Sequence, residues 1–201
     1  MISSRAARHL AALVLALVLA GCAQQRIKPD AEALATQATR ERALSVHGSW
    51  NLSGRLAVSN GKEGGSGSLQ WSRDGDAFRF EVHAPVTGKT WTLTGDRRHA
   101  ELSGLGDHPI TGGDASALLT QELGWHVPLT ELDYWVRGMR APGDADLTVR
   151  GDGLPLQIKQ AGWKVEYLDY DASLNPPMPR KLFAERGTQR VRLVIQQWTL
   201  H

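Results

Sequence analysis

The spacing of hydrophobic positions changes character three times along the chain. Leu10 to Ala20 is eleven apolar residues without a break. That is short of the ~20 helical residues that cross a bilayer core, but with Arg5 and Arg8 ahead of it the run has the form of a secretory h-region. Residues 23–29 are polar and aperiodic and read as a tether. From Asp30 to about Val46, Ala31, Leu34, Ala35 and Ala38 recur at helical spacing behind Pro29-Asp30, predicting a helix whose thin stripe lies on the domain rather than inside it. After Gly48 the period becomes two. Trp50, Leu52, Leu56 and Val58, then Leu69 and Trp71, then Phe78, Phe80 and Val82, then Trp91 and Leu93, then Ala100 and Leu102 mark strands buried on one face. Gly61, Gly64, Gly65, Gly67, Asp74-Gly75 and Gly95 read as the connections of an antiparallel meander.

The middle of the chain turns helical again. Asp114 predicts the cap of a helix through Leu118 and Leu119 to Leu123, closed by Gly124. After Pro128, Thr130 stands three residues before Asp133, a weak capping-box spacing, at the start of a helix through Leu132, Trp135 and Val136 to Gly138. From Leu147 the alternation resumes through Leu154, Leu156 and Ile158, then Trp163, Val165 and Tyr167, then Leu182, then Val191, Leu193 and Ile195. A helix, about five strands, two helices and several more strands, with no βαβ alternation, predict a mainly β fold with helices (α+β). A sheet of that length must curl and cover its apolar face, giving an unclosed antiparallel β-barrel with a helical lid. Residues 30–201 are expected to form one domain.

Charge and cysteine count sharpen this division. The 201 residues carry 23 Lys+Arg and 21 Asp+Glu, net +2. Residues 1–21 hold two Arg and no acid, so the remainder has 21 of each sign and is neutral. The basic footprint that nucleic-acid binding requires is absent. The only cysteine, Cys22, closes Leu19-Ala20-Gly21-Cys22 behind the apolar run. This resembles the lipobox of bacterial lipoproteins and implies a signal peptide 1–21 removed before Cys22, a covalent N-acyl diacylglycerol on Cys22, and a lipidated tether over 22–29. Ala23 in the next position implies, by the same resemblance, passage to the outer membrane. No partner remains for an intrachain disulfide, so the domain must rely on its core.

The sequence offers little for catalysis. The seven His show no metal-ligand spacing, no G-x-S-x-G elbow is present, and Gly61 to Gly67 lacks the phosphate-loop pattern and leads into a strand. Asp169, Tyr170 and Asp171 have the composition of a strand-end turn. An enzyme, a metal or a cofactor is not expected. Two features stand out instead. Trp50, Trp71 and Trp91 occupy inward positions on successive strands, and would line a wide apolar interior able to hold a lipid-like ligand. The hairpin Ala84-Pro85-Val86-Thr87-Gly88 places an apolar residue at a tip where Gly, Asn or Asp is usual. That tip either packs under a helix or meets something apolar outside the protein.

Taken together, the lipobox, Trp50-x-Leu-x-Gly-Arg-Leu-Ala-Val58, Gly67-Ser-Leu-Gln-Trp71, the Pro85-Val86 hairpin and Leu123-Gly-Trp-x-x-Pro-Leu129 resemble the outer-membrane lipoprotein receptor LolB family. Tyr134-Trp-Val-x-Gly138, Pro142-Gly143, Gly162-Trp-x-Val-x-Tyr167, Asp169-Tyr170, Met178-Pro179 and Arg192-Leu-Val-Ile195 with Trp198 continue the resemblance in order. It implies a LolA/LolB-like half-barrel that accepts lipoproteins from the periplasmic carrier LolA and places them in the inner leaflet of the outer membrane without nucleotide hydrolysis. It also implies a periplasm-facing, lipid-anchored monomer whose partners are LolA, cargo lipoproteins and outer-membrane lipid. The membrane-insertion loop would be Pro85, Val86 and Gly88, with Val86 where the family usually has Leu. Leu56, Trp71, Phe80, Trp91, Val165 and Leu193 are the expected acyl-chain cavity. A binding protein for another lipid, a structural lipoprotein with a filled core and, least, a hydrolase remain as other readings.

Overall fold

The computed structural model describes residues 31–201. Helix α1 (Ala31–Ser45) leads into β1 (Ser49–Ser59), β2 (Gly64–Asp74), β3 (Ala77–Ala84), β4 (Lys89–Gly95), β5 (Ala100–Ser103) and β6 (Ile110–Gly112). Helices α2 (Ala115–Leu123) and α3 (Leu129–Trp135) follow. The chain then returns through β7 (Ala145–Val149), β8 (Pro155–Gln160), β9 (Trp163–Asp171), β10 (Met178–Arg186) and β11 (Gln189–Leu200).

All eleven strands belong to one antiparallel sheet in the order β6-β5-β4-β3-β2-β1-β11-β10-β9-β8-β7. Two meanders are therefore stitched together where β1 pairs β11, Leu56 opposite Leu193. The ends β6 and β7 do not pair with each other, so the expected unclosed barrel is what forms. Alternation is regular in β1, where Trp50, Leu52, Gly54, Leu56 and Val58 are all buried. The register slips between Ser53 and Gly54 against β11. A Cβ at Gly54 would overlap the Val194 carbonyl oxygen, so only glycine fits beside the bulge.

The strand registers define two rims. Ser59–Gly64, Ala84–Lys89, Gln160–Trp163 and Arg186–Gln189 lie at one. Ser49, Asp74, Asp171 and Leu200 lie at the other. Helix α1 runs along this second rim. Its first turns meet Gly153 in the β7–β8 connection, and Arg40 bonds the Pro177 carbonyl before β10.

Helix α2 begins as predicted, with the Asp114 carboxylate accepting from the Ala117 N–H, and ends on Gly124 at φ 65. Several expectations are corrected. The buried face of α1 is Ala33, Gln37, Arg40 and Leu44, and Ala31 and Ala35 are exposed. Gln37 and Arg40 occupy that face because they meet backbone carbonyls of the α3 exit, while Leu44 joins the apolar cluster. Thr130 and Asp133 form no capping box: α3 starts at Leu129 behind Pro128, which makes no side-chain cap, and Asp133 is buried in an ion-pair cluster. Helix α3 also stops at Trp135, three residues before Gly138. Gly64, Gly65 and Gly67 lie inside β2 rather than in a loop. Leu156 is exposed, Leu154 and Pro155 taking the buried positions before Ile158. Strand β6, three residues long, has no periodic signal of its own.

Candidate functional site

The inward face of the sheet carries an aromatic row. Trp71 and Phe80 are direct cross-strand partners on β2 and β3, with ring centroids 5.1 Å apart. Trp50 meets Trp71 edge-on at 5.2 Å, Phe80 stacks on Trp91 at 5.8 Å, and Trp91 meets Trp125 at 5.3 Å. Trp198 extends the row on the far side of Trp50 at 5.6 Å. Each offset pair adds about 1 kcal/mol to the burial of its rings.

All six residues expected to line a cavity, Leu56, Trp71, Phe80, Trp91, Val165 and Leu193, face inward and belong to one contiguous cluster. They are fully buried, because helical side chains fill the concavity: Leu118 and Leu119 from α2, Leu132 and Trp135 from α3, and Val136 and Met139 just beyond. The interior is thus a packed core rather than an open trough. Trp71 alone of the six also lines a cavity of about 310 Å3 at the α1 rim. Trp125 and Trp135, contributed by the helical cover, are members of the site that strand alternation did not reveal. Their signal was the surplus of tryptophan, seven in the chain.

The helical cover is held unevenly. Around α3 the ties are buried and polar. Tyr167 Oη donates to the Trp135 carbonyl (2.8 Å) and Trp135 Nε1 donates to Gln160 Oε1 (3.1 Å). Arg40 donates to the carbonyls of Arg137 (2.8 Å), Gly138 (3.0 Å) and Pro177 (2.7 Å), so a cation from α1 caps the exit of α3. Burial lowers the Arg40 pKa and raises that of Tyr167 well above its usual value. Asp133 pairs with Arg137 (3.1 Å) and with Arg73 from β2 (3.3 Å). Burial still raises the Asp133 pKa, against the pull of those two cations. Helix α2, by contrast, packs on the short strands β5 and β6, and its polar ties to the rest of the cover are two, Ser116 Oγ accepting from the Leu129 N–H (3.0 Å) and Thr120 Oγ1 donating to the Trp125 carbonyl (3.2 Å).

At the opposite rim the β3–β4 hairpin projects. Gly88 takes φ 67 and its N–H donates to the Ala84 carbonyl (2.9 Å), closing the tip with Pro85, Val86 and Thr87 outside. Val86 is 94% exposed, the most exposed large hydrophobic residue among those described. The tip is therefore not packed under a helix. Cys22 and the tether lie outside the described residues. Among the described residues no group of His, Cys, Asp and Glu is placed to hold a metal ion, and no helix is long and apolar enough to cross a membrane.

An unclosed antiparallel sheet wrapped on an aromatic interior and covered by helices is a half-barrel fold. A solved LolA superfamily protein from Nitrosomonas europaea superposes with a TM-score of 0.54 at 11% identity, covering 85% of this chain and 92% of that one. Within that class, the family described as "Outer membrane lipoprotein LolB" matches residues 48–198. Outer-membrane lipoprotein LolB of Xanthomonas campestris pv. campestris (strain B100) is 36% identical over 170 residues, 82% of this chain and 78% of that protein. The LolB of Xylella fastidiosa (strain 9a5c) is 34% identical over 196 residues, 92% and 90% of the two chains. The chain belongs to the LolB family.

Proposed function

We propose that the protein is an outer-membrane lipoprotein that receives other lipoproteins from the periplasmic carrier LolA, shelters their acyl chains against its aromatic face and passes them to the inner leaflet. Cys22, bearing an N-acyl diacylglycerol, is its anchor, and Val86 with Pro85 and Gly88 forms the element that enters lipid. No nucleotide hydrolysis is involved. The observation that carries the reading is the aromatic row: Trp71 belongs both to the packed interior and to the lining of the 310 Å3 cavity.

Acyl chains left in water cost about 0.8 kcal/mol for every exposed methylene, so the cargo must go from one apolar enclosure to the next. A packed interior accepts them only if part of the cover yields. Helix α2 is the part with few polar ties, and its departure would uncover Leu102 on β5, whose cross-strand partner is Leu93. Leu56, Val165 and Leu193 would then extend the apolar floor towards β9 and β11. The test is to place the lipidated protein in vesicles, add carrier loaded with a radiolabelled lipoprotein, and follow label into the bilayer. Photo-crosslinkers at Trp71 and Trp91 should capture the cargo acyl chains during transfer. Transfer without any capture at either position would remove the aromatic face from the path.

A further inference from the structure

At the α1 rim the cover does not close on the sheet, and the 310 Å3 cavity lies between β2–β4 and the beginnings of α2 and α3. Its floor is apolar, with Trp71, Phe78 and Leu129. Its wall is the pair Arg73 and Asp133. Arg73 spends Nε on the Gly75 carbonyl (2.9 Å) and Nη1 on Asp133 Oδ2 (3.3 Å), while its Nη2 has no partner among the described residues. Asp133 is 3% exposed and its Oδ1 is buried without a hydrogen-bond partner. Buried polar atoms of this kind are rare and costly when unmet. The wall therefore offers spare N–H donors beside an apolar floor, which suits an uncharged carbonyl attached to alkyl chains.

The mouth has a different character. Asp76, Asp96 and Asp114 line it against one cation, Arg97, which Asp76 holds at 2.8 Å. Among the residues lining the cavity, two guanidiniums, Arg73 and Arg97, face four carboxylates, Asp76, Asp96, Asp114 and Asp133. A phosphate placed there would meet net negative charge, and a neutral ester or amide would not.

We propose that this cavity seats the ester and amide linkages of an acylated peptide, Arg73 donating to a linkage carbonyl, and that its acidic mouth turns away phosphate-headed lipids bearing the same chains. The inference rests on the reading that the protein receives lipoproteins, and it adds a means of telling cargo from the surrounding bilayer. Asp76 and Asp96 are solvent-facing, so neutralising them leaves the fold in place.

The experiment uses the full lipidated chain in phosphatidylglycerol vesicles, with a photo-crosslinking residue in place of Phe78. A synthetic triacylated cysteinyl peptide is added and the adducts are identified by mass spectrometry. In the otherwise unaltered protein, peptide adducts should exceed phosphatidylglycerol adducts. Asp76→Asn and Asp96→Asn should each raise the phosphatidylglycerol share about three- to tenfold, the Coulomb effect of one carboxylate roughly 6 Å from a phosphate at an effective dielectric of ~40–80, and together by more. Arg73→Met should lower capture of the acyl-linked peptide but not of a dialkyl-ether analogue that has no carbonyl, a difference that a merely structural role for Arg73 would not produce. An unchanged adduct ratio, an equal loss of both analogues, or no adduct at Phe78 while carrier-to-vesicle transfer proceeds would each overturn the inference. Failure of the broader reading shows separately, as absence of that transfer in the unaltered protein.

Discussion

Val86 provides the most direct quantitative test of the insertion step. Its side chain is 94% exposed and touches no core residue, so replacing it should change folding stability by less than about 0.5 kcal/mol. What it should change is the coupling to lipid. Val86→Leu adds one methylene, worth about 0.8 kcal/mol in an apolar environment, or roughly a fourfold gain in partition. Val86→Glu forfeits about 1.5 kcal/mol of valine burial. It also introduces a carboxylate whose cost rises towards about 3 kcal/mol at the bilayer centre. Incorporation should therefore slow about tenfold or more for the Glu variant. Two measurements separate the steps: capture of cargo from the loaded carrier in solution, and appearance of cargo in liposomes. The first should be equal for all three proteins and the second should rank Leu above Val above Glu. If the Glu variant delivers cargo at the unaltered rate with equal thermal stability, the hairpin is not the inserting element.

Other expectations follow from the polar ties of the cover. Arg40→Met leaves two carbonyls at the α3 exit and one before β10 without their charged donor, so chemical denaturation should show a loss of about 3 kcal/mol, and a loss below ~1 would mean water replaces the guanidinium. Glu41 is partly buried, which raises its pKa, but the hydrogen bonds and charge of Arg140 outweigh burial and the net shift is downward from 4.5. A depressed carboxyl contributes stability above its unfolded pKa and loses it as pH falls through the folded one. The stability gap between unaltered protein and Glu41→Gln should accordingly be constant above about pH 4.5 and close below it. Native-state hydrogen exchange should be faster across α2 (Ala115–Leu123) than across residues 136–141, which Arg40 and Gln160 hold; equal protection would deny α2 the role of the yielding cover.

The pattern of Trp50 to Val58 or of Trp163 to Tyr167 is legible because a strand buried on one face imposes a local period of two. The Asp114 and Gly124 caps are legible because capping chemistry is confined to a few neighbouring residues. The buried face of α1 is not legible, for the opposite reason. Gln37 and Arg40 are buried by partners about a hundred residues away, Gly138 and Arg137, and no local pattern reports a distant carbonyl. Asp133 stands three residues after Thr130 at a weak capping-box spacing, whereas Arg73 on β2 and Arg137 one turn on decide its place. The inward direction of most strand positions is legible, Leu156 excepted, but not that the helices fill the space between them. Periodicity gives the direction of a side chain and not what lies opposite it.

One consequence of the two rims bears on how an anchored protein could work at all. The described chain starts at Ala31, beside the Gly153 turn, while Val86 projects from the other rim. The eight residues of β3 connect the rims, a separation of about 26 Å along the strand at ~3.3 Å per residue. If Cys22 carries the anchor, nine residue steps lie between it and Ala31, at most roughly 30 Å of chain. Anchor and Val86 can then reach the same leaflet only with the tether nearly extended beside the domain, or with the barrel lying along the membrane. Deleting residues 24–27 should leave a reach of only about 17 Å and slow cargo incorporation when protein and cargo share one vesicle. Inserting six Gly/Ser residues after Lys28 should not slow it. Full activity of the deletion would show that the hairpin serves a neighbouring surface, or that the domain lies flat, and tilt measured by site-specific quenching at Val86 would tell these apart.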